Sequence, residues 1–341
     1  MPKALIDVHA HLVPGKFPPA PGSCDCWPRL LARDAGHSTI YMGSKPFREL
    51  DSRSWDASAR LASMDAEGIT TQVLSPMPEL LSYWMAAADA LTLARHVNAT
   101  IAEFVTRDPA HFQGFGMVPL QDPGLATREL ARLRADGLRG VEIGSHVNGV
   151  LPSDARFEEF FAEAARLGLA VFIHALHPVG ADRLAGTPDL IPFAAFPLDT
   201  ALAAASLMRA GTLERHPGLR IGLSHGGGAI AALVPRLQRG WELTQGFDGA
   251  TSLSPVSQRA RFFYDSVVYD PDWLRYLMTS FAPGQFFAGT DYPFAIQQTE
   301  LRSFLEAATD DVDDPVYALA AQRFLGLEGE TGASVSTLEP R

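Results

Sequence analysis

Two rhythms of apolar and polar positions alternate along this chain. Short apolar runs rich in β-branched and aromatic residues recur at Ala4–His9, Thr71–Leu74, Phe112–Val118, Gly140–Ile143, Ala170–His174, Arg220–Ser224, Phe262–Asp265 and Phe286–Gly289. Each has the length and apolar density of a strand buried on both faces. Between them the apolar positions take helical spacing, in Ala57–Ala66, Leu91–Thr106, Arg156–Leu167, Leu198–Ala210, Ile230–Arg239 and Trp273–Thr279, with a further helix at Val316–Leu325. Eight strands with intervening helices predict an α/β fold, a (β/α)8 TIM-type barrel rather than an open sheet. A Gly/Pro/Ser-rich stretch, about residues 14–54, interrupts the first strand–helix unit and reads as a small insertion over the barrel mouth. On this reading residues 1–327 form one barrel domain and residues 328–341 a polar C-terminal tail.

Composition narrows the class without changing it. With 341 residues, 47% hydrophobic and 20% charged, the chain can bury a large core and is neither disordered nor fibrous. A net charge of −11 argues against nucleic-acid or membrane partners. The start turns polar after six residues and lacks an apolar stretch long enough for a signal peptide or span, so a cytoplasmic location is expected. Only Cys24 and Cys26 occur, too few for a disulfide scaffold and too close to close a useful loop; they read as loop residues, because a Cys-x-Cys holds a metal only with further ligands.

In a barrel of this kind the chemistry sits at the C-terminal strand ends. The first strand runs into Asp7-Val8-His9-Ala10-His11, where the period of two places the three polar side chains on one face; the fifth ends in His174, the sixth runs into His225, and the eighth leads to Asp291. Three histidines and one carboxylate at strand ends make a complete nitrogen and oxygen ligand set for Zn²⁺ or a similar divalent ion, with one position left for water. The remaining histidines read as solvated or structural, except His146, which is intermediate, and His177, a candidate substrate contact whose alternative is a structural role beside Pro178. Gly222-Leu223-Ser224-His225-Gly226 matches a nucleophile elbow, but no histidine follows His225 to complete the hydrolase order, so the glycines read as a close-approach turn opening the next helix.

Four separated motifs carry a family resemblance: Asp7–His11, His174, Ser224–Gly228 and Thr290-Asp291-Tyr292-Pro293-Phe294. With Tyr41-Met42-Gly43 and Pro46-Phe47-Arg48 in the insertion and Pro119–Asp122 after the third strand, the chain resembles the amidohydrolase superfamily. The likeness is to its decarboxylase-rich branch, the family of 2-amino-3-carboxymuconate-6-semialdehyde decarboxylase, from about Ile6 to Leu325.

The resemblance implies that His9, His11, His174 and Asp291 hold one Zn²⁺ per chain with a water as the remaining ligand. Mn²⁺ or another divalent ion is compatible with the same donors. It also implies that His225 sits beside that water as a catalytic group together with Asp291, that Arg48 binds a substrate carboxylate, and that Arg236 reaches the partner's site in a homodimer. Phe294 and His177 complete the expected substrate contacts. The implied reaction is metal-dependent, non-oxidative decarboxylation of a small aromatic or muconate-semialdehyde-like carboxylic acid. The alternative is hydrolysis or hydration of an amide, lactone or alkene on the same site. The sequence departs from the branch after the fifth strand, where His174-Ala175-Leu176-His177-Pro178 replaces a His-Pro-Trp-Asp run, which opens the identity of the substrate. No lysine follows Lys45, so a carbamylated lysine cannot bridge a metal pair; Glu142 is the other possible bridge, against the alternative of a buried carboxylate paired or hydrogen-bonded near the site.

Overall fold

The computed structural model describes residues 4–21, 25–178, 180–309 and 316–327. Its strands, in chain order, are β1 (Ile6–Leu12), β2 (Pro28–Ala32), β3 (His37–Met42), β4 (Lys45–Asp51), β5 (Thr71–Pro76), β6 (Phe112–Gly116), β7 (Gly140–Gly144), β8 (Ala170–His174), β9 (Arg220–Leu223), β10 (Phe263–Asp265) and β11 (Phe286–Phe287). One eight-stranded sheet runs β1-β5-β6-β7-β8-β9-β10-β11, every neighbouring pair parallel. It closes on itself where the Val8 N–H donates to the Ala288 carbonyl at 2.9 Å and the His11 N–H to the Tyr292 carbonyl at 2.6 Å. The molecule is the expected (β/α)8 barrel, with all eight predicted strands present.

Local chemistry explains the intervening helices. Asp56 caps Ala57–Glu67 by accepting from the Ala59 N–H at 2.8 Å, and Gly68 ends it in the left-handed region at φ 68°. Pro123–Ala135, outside the helices named from periodicity, carries the same start signal: an Asp122 cap followed by proline at the first position. The run Ile191–Ala210 has the length and mean hydropathy, 1.4, of a membrane span, but Ala201, Ala203, Ala204, Leu207 and Met208 bury its inner face in the protein.

The insertion is more ordered than its composition suggests. β2, β3 and β4 make a small antiparallel sheet between β1 and the first long helix, bringing Phe47 and Arg48 to the barrel mouth. Cys26 lies in this segment; Cys24 and the tail 328–341 fall outside the described residues.

Inside the barrel, polarity is layered. At the N-terminal end of the strands Ile6, Val8, Val73, Phe115, Phe172, Phe263 and Phe287 form an aromatic floor closed by the helix Val316–Leu325. Phe324 is its centre, stacked on Phe287 at 5.0 Å and touching Phe263 and Phe115 at 5.3 and 5.8 Å. Above the floor, Phe172 meets the His9 ring edge-on at 5.0 Å. Because Phe324 plugs the floor and touches none of the polar groups above, Phe324→Ala should cost about 3–5 kcal/mol in urea unfolding while the folded protein keeps its metal content. A loss under about 1 kcal/mol would show that the plug is not part of the core.

Candidate functional site

β1, β8 and the chain after β11 bring four buried groups together above that floor: His9, His11, His174 and Asp291, whose ligand atoms all lie within 4.8 Å of one another. The outward nitrogen of each ring is committed. His9 Nδ1 lies 2.5 Å from Asp265 Oδ2, His11 Nδ1 2.9 Å from the Pro76 carbonyl and His174 Nδ1 2.8 Å from the Ala175 carbonyl. Those acceptors place the ring protons on Nδ1, which leaves the Nε2 lone pairs facing inward. His9 Nε2 is 3.1 Å from His11 Nε2, and His11 Nε2 is 3.1 Å from Asp291 Oδ1. His174 Nε2 and Asp291 Oδ1 are buried without a hydrogen-bond partner.

Acceptors this close repel unless a proton or a cation lies between them. Burial works against a charged His9, yet Asp265, with Asp291 and Glu142, pushes its pKa up to about 9, so that without a cation Nε2 would hold a proton in place of its free lone pair. Burial depresses His11 and takes His174 well below the usual range, while the surrounding histidines outweigh burial and hold Asp291 well below its own. A set of three imidazoles and one carboxylate that cannot all carry protons fits a divalent cation.

Sequence reasoning missed the residue that orients this cluster. Asp265, buried at the end of β10, bonds His9 Nδ1 and accepts from the backbone N–H groups of His225, Gly226 and Val267 at 2.9, 2.7 and 3.0 Å. Burial opposes its charge, but these partners and the His9 and His225 charges hold its carboxyl below the usual range. The signal was present: a carboxylate closing the seventh predicted strand. Asp265 also sets the His225 turn, whose residues have φ of 57°, 62°, 77° and 59° from His225 to Gly228. At Gly228 a Cβ would lie 1.9 Å from the Pro197 carbonyl, so the turn admits no side chain there.

Asp7 corrects the expectation of one shared face. The β1–β5 register slips between Asp7 and Ala10, a bulge that turns Asp7 away from the cluster. Its carboxylate instead accepts from Gln72 at 2.9 Å and the Thr290 hydroxyl at 2.7 Å. Gln72 is in turn held by the fully buried Arg60, which also donates to the His11 carbonyl at 2.7 Å. Glu142 is buried beside the site, Oε2 3.8 Å from His11 Nδ1, with no hydrogen bond on either oxygen, and burial drives its carboxyl well above the usual range. It is not one of the four converging groups, and none of the described arginines pairs with it.

The cluster opens into a cavity of about 770 Å³ that also takes in Arg48, Glu79, His177, His225 and Phe294. His225 Nε2 is 3.8 Å from Asp291 Oδ2, and its Nδ1 meets the Ser224 hydroxyl at 3.2 Å. Phe294 stacks on His11 at 5.0 Å, and the Arg48 guanidinium lies over Phe294 at 4.1 Å. Burial pulls the Arg48 pKa down against the charges of Asp291 and Glu79. No carboxylate among the described residues lies within ion-pair distance of it. Arg236 is exposed on the helix Ile230–Leu243 and does not line its own chain's cavity. His37, His96, His111 and His216 each sit in a local contact, with Asp34, the Lys16 carbonyl, Asp108 and Glu158.

A model of the amidohydrolase family matches residues 6–327. The chain is 31% identical over 334 residues to 2-amino-3-carboxymuconate-6-semialdehyde decarboxylase of Dictyostelium discoideum, covering 95% of this chain and 92% of the relative. Among solved structures it resembles 5-carboxyvanillate decarboxylase of Sphingomonas paucimobilis, with TM-score 0.79, 26% identity and coverage of 95% and 99%. A dihydroxybenzoic acid decarboxylase of Polaromonas sp. JS666, solved with bound manganese and 2-nitroresorcinol, shares the fold with TM-score 0.74 and 24% identity over 81% and 88% of the two chains. By its barrel, its motifs and these matches along nearly the whole chain, this protein belongs to the amidohydrolase family.

Proposed function

We propose that this enzyme is a metal-dependent, non-oxidative decarboxylase of a small aromatic or muconate-semialdehyde-like carboxylic acid. The observation that carries the reading is Arg48, a half-buried guanidinium with no protein carboxylate at ion-pair distance among the described residues, facing the same cavity as four converging acceptors. A permanently charged planar fork in that setting suits a substrate carboxylate, which it holds through two parallel hydrogen bonds. His9, His11, His174 and Asp291 would hold the ion, Zn²⁺ in our reading, with Mn²⁺ compatible. When bound, the ion supplies Lewis acidity that polarises oxygen atoms of substrate or water.

Breaking the bond to CO2 leaves its electron pair on carbon, and a proton must be added there. His225 would carry that proton, a reading supported by its Nε2 at the cavity wall near Asp291 Oδ2. Phe294, with His11 stacked on it and the Arg48 guanidinium over it, would set that guanidinium at the cavity wall where it turns the substrate carboxylate. His177 contributes from the rim. We also infer a homodimer in which each chain lends Arg236 to the other's carboxylate pocket, a reading supported by its exposure on a helix away from its own cavity.

Assaying CO2 release across carboxylated aromatics and muconate semialdehydes should find turnover with at least one acid. Product formation only by hydrolysis or hydration would overturn the decarboxylase reading. Arg48→Ala should lower kcat/KM by about 10²-fold or more with metal content unchanged, and near wild-type efficiency would remove its role. Asp265→Asn should weaken metal affinity by about 10–100-fold, read by competition with a chelator; unchanged affinity would mean that His9 needs no anchor. For the shared site, Arg236→Ala and His174→Ala proteins allowed to exchange subunits should recover up to about a quarter of wild-type activity through hybrid dimers. No recovery after demonstrated exchange would return Arg236 to the surface.

A further inference from the structure

Apart from the cluster, His225 and Arg48, the cavity wall is largely apolar, and it contains one more pair of charged side chains. Glu79 sits in the turn Pro78–Leu81 after β5, and His177 follows β8. His177 Nε2 lies 2.9 and 3.0 Å from the two Glu79 oxygens. Several independent contacts hold this pair. The His177 ring stacks on Trp84 at 4.6 Å and 18°. His146 accepts the Gly149 N–H on Nδ1 at 2.9 Å, which leaves Nε2–H to donate to the His177 carbonyl at 2.8 Å. His177 itself is in the left-handed region at φ 47°, a conformation that persists only where the surroundings impose it.

The Glu79 side chain is 12% exposed against 52% for His177, so the carboxylate is the sheltered partner. A carboxylate has about four acceptor positions, and one imidazole does not fill them. Arg48, Asp291 and Glu79 line the same cavity, so a ligand held by Arg48 shares that cavity with an anionic acceptor. A second carboxylate there would meet like charge, and an apolar edge would strip water from Glu79 without replacing its hydrogen bonds. A hydroxyl or N–H satisfies it.

We infer that Glu79, backed by His177, is a second polar subsite that accepts a hydrogen bond from a hydroxyl or N–H group of the substrate, remote from the carboxylate held by Arg48. The inference rests on the carboxylic-acid reading of the cavity and narrows it to acids bearing such a donor. It separates them from alkyl-substituted acids and from diacids with the second carboxylate at that point, because only the donor leaves no buried acceptor unpaired.

The test measures dissociation constants by calorimetry on the metal-loaded enzyme. The probes are benzoates and cinnamates with a single meta or para hydroxyl, each against its methyl counterpart. At one or more positions wild type should prefer the hydroxyl by about 10–100-fold. Glu79→Met, which keeps the volume and removes the acceptor, should erase that preference and leave the methyl compounds within about 3-fold. His177→Phe, which breaks the same ion pair but keeps the stacking on Trp84 and the Glu79 oxygens, should retain it. Equal weakening of both probe types by Glu79→Met, loss of the preference in His177→Phe, or binding of the acids by wild type without any hydroxyl preference would overturn the subsite alone. If no acid of the panel binds wild type, the carboxylate role of Arg48 falls, and the subsite with it.

Discussion

Four electron-pair donors meet above an aromatic floor with almost nothing to keep them apart, and that mutual repulsion is the constraint around which the barrel mouth is organised. Each inward lone pair exists because an outward proton has been assigned elsewhere: to Asp265 for His9, and to the Pro76 and Ala175 carbonyls for the other two rings. Asp265 and Pro76 belong to β10 and β5, so the orientation of the two β1 rings is a property of the closed barrel, whereas His174 is held by the carbonyl of its own neighbour. The closure itself runs through the same residues. β1 carries two of the histidines, and the backbone of His11 donates to Tyr292, next to Asp291. Asp291, at φ 63°, is held in a left-handed conformation that an isolated chain would leave, and the barrel holds it there.

Arginine answers a related constraint at the other end of the cavity. A cation facing apolar walls loses hydration, which pulls its pKa down, and lysine in such a place readily becomes neutral. Arg48 feels that pull, yet guanidinium starts high enough to stay charged, and Phe294 gives its planar face a surface to lie on. The chain has only Lys3, Lys16 and Lys45, so nearly all its positive charge is of the kind that survives desolvation.

The strand order and four converging side chains were legible because parallel strands buried on both faces write long apolar runs, and polar residues at their ends stand out. His174 closes a predicted strand whose bounds match β8. The bulge in β1 was not legible: alternation puts Asp7 with the histidines, and only the pairing with β5 reveals the slip. Asp265 was written as plainly as Asp291, but its role depends on three backbone donors and a ring from elsewhere in the chain. The insertion sheet was hidden for another reason. β2 and β4 leave much of their length exposed and the segment carries turn residues, so composition marked an insertion without marking the pairing that orders it.

Glu142 bears on how many ions the mouth can serve. A second ion would need its own donors and a bridge, and this carboxyl is the nearest buried one, 3.8 Å from His11. It lies on the Nδ1 side of that ring, which faces away from the converging Nε2 atoms, and burial favours its protonated form. A carboxyl on the far side of a ligand is poorly placed to bridge two cations, and no lysine exists beyond Lys45 to do so. The geometry therefore favours one ion, with the rest of the mouth given to the substrate. On the proposed reading, discrimination between acids would rest with Arg48, Phe294 and the groups along the cavity wall.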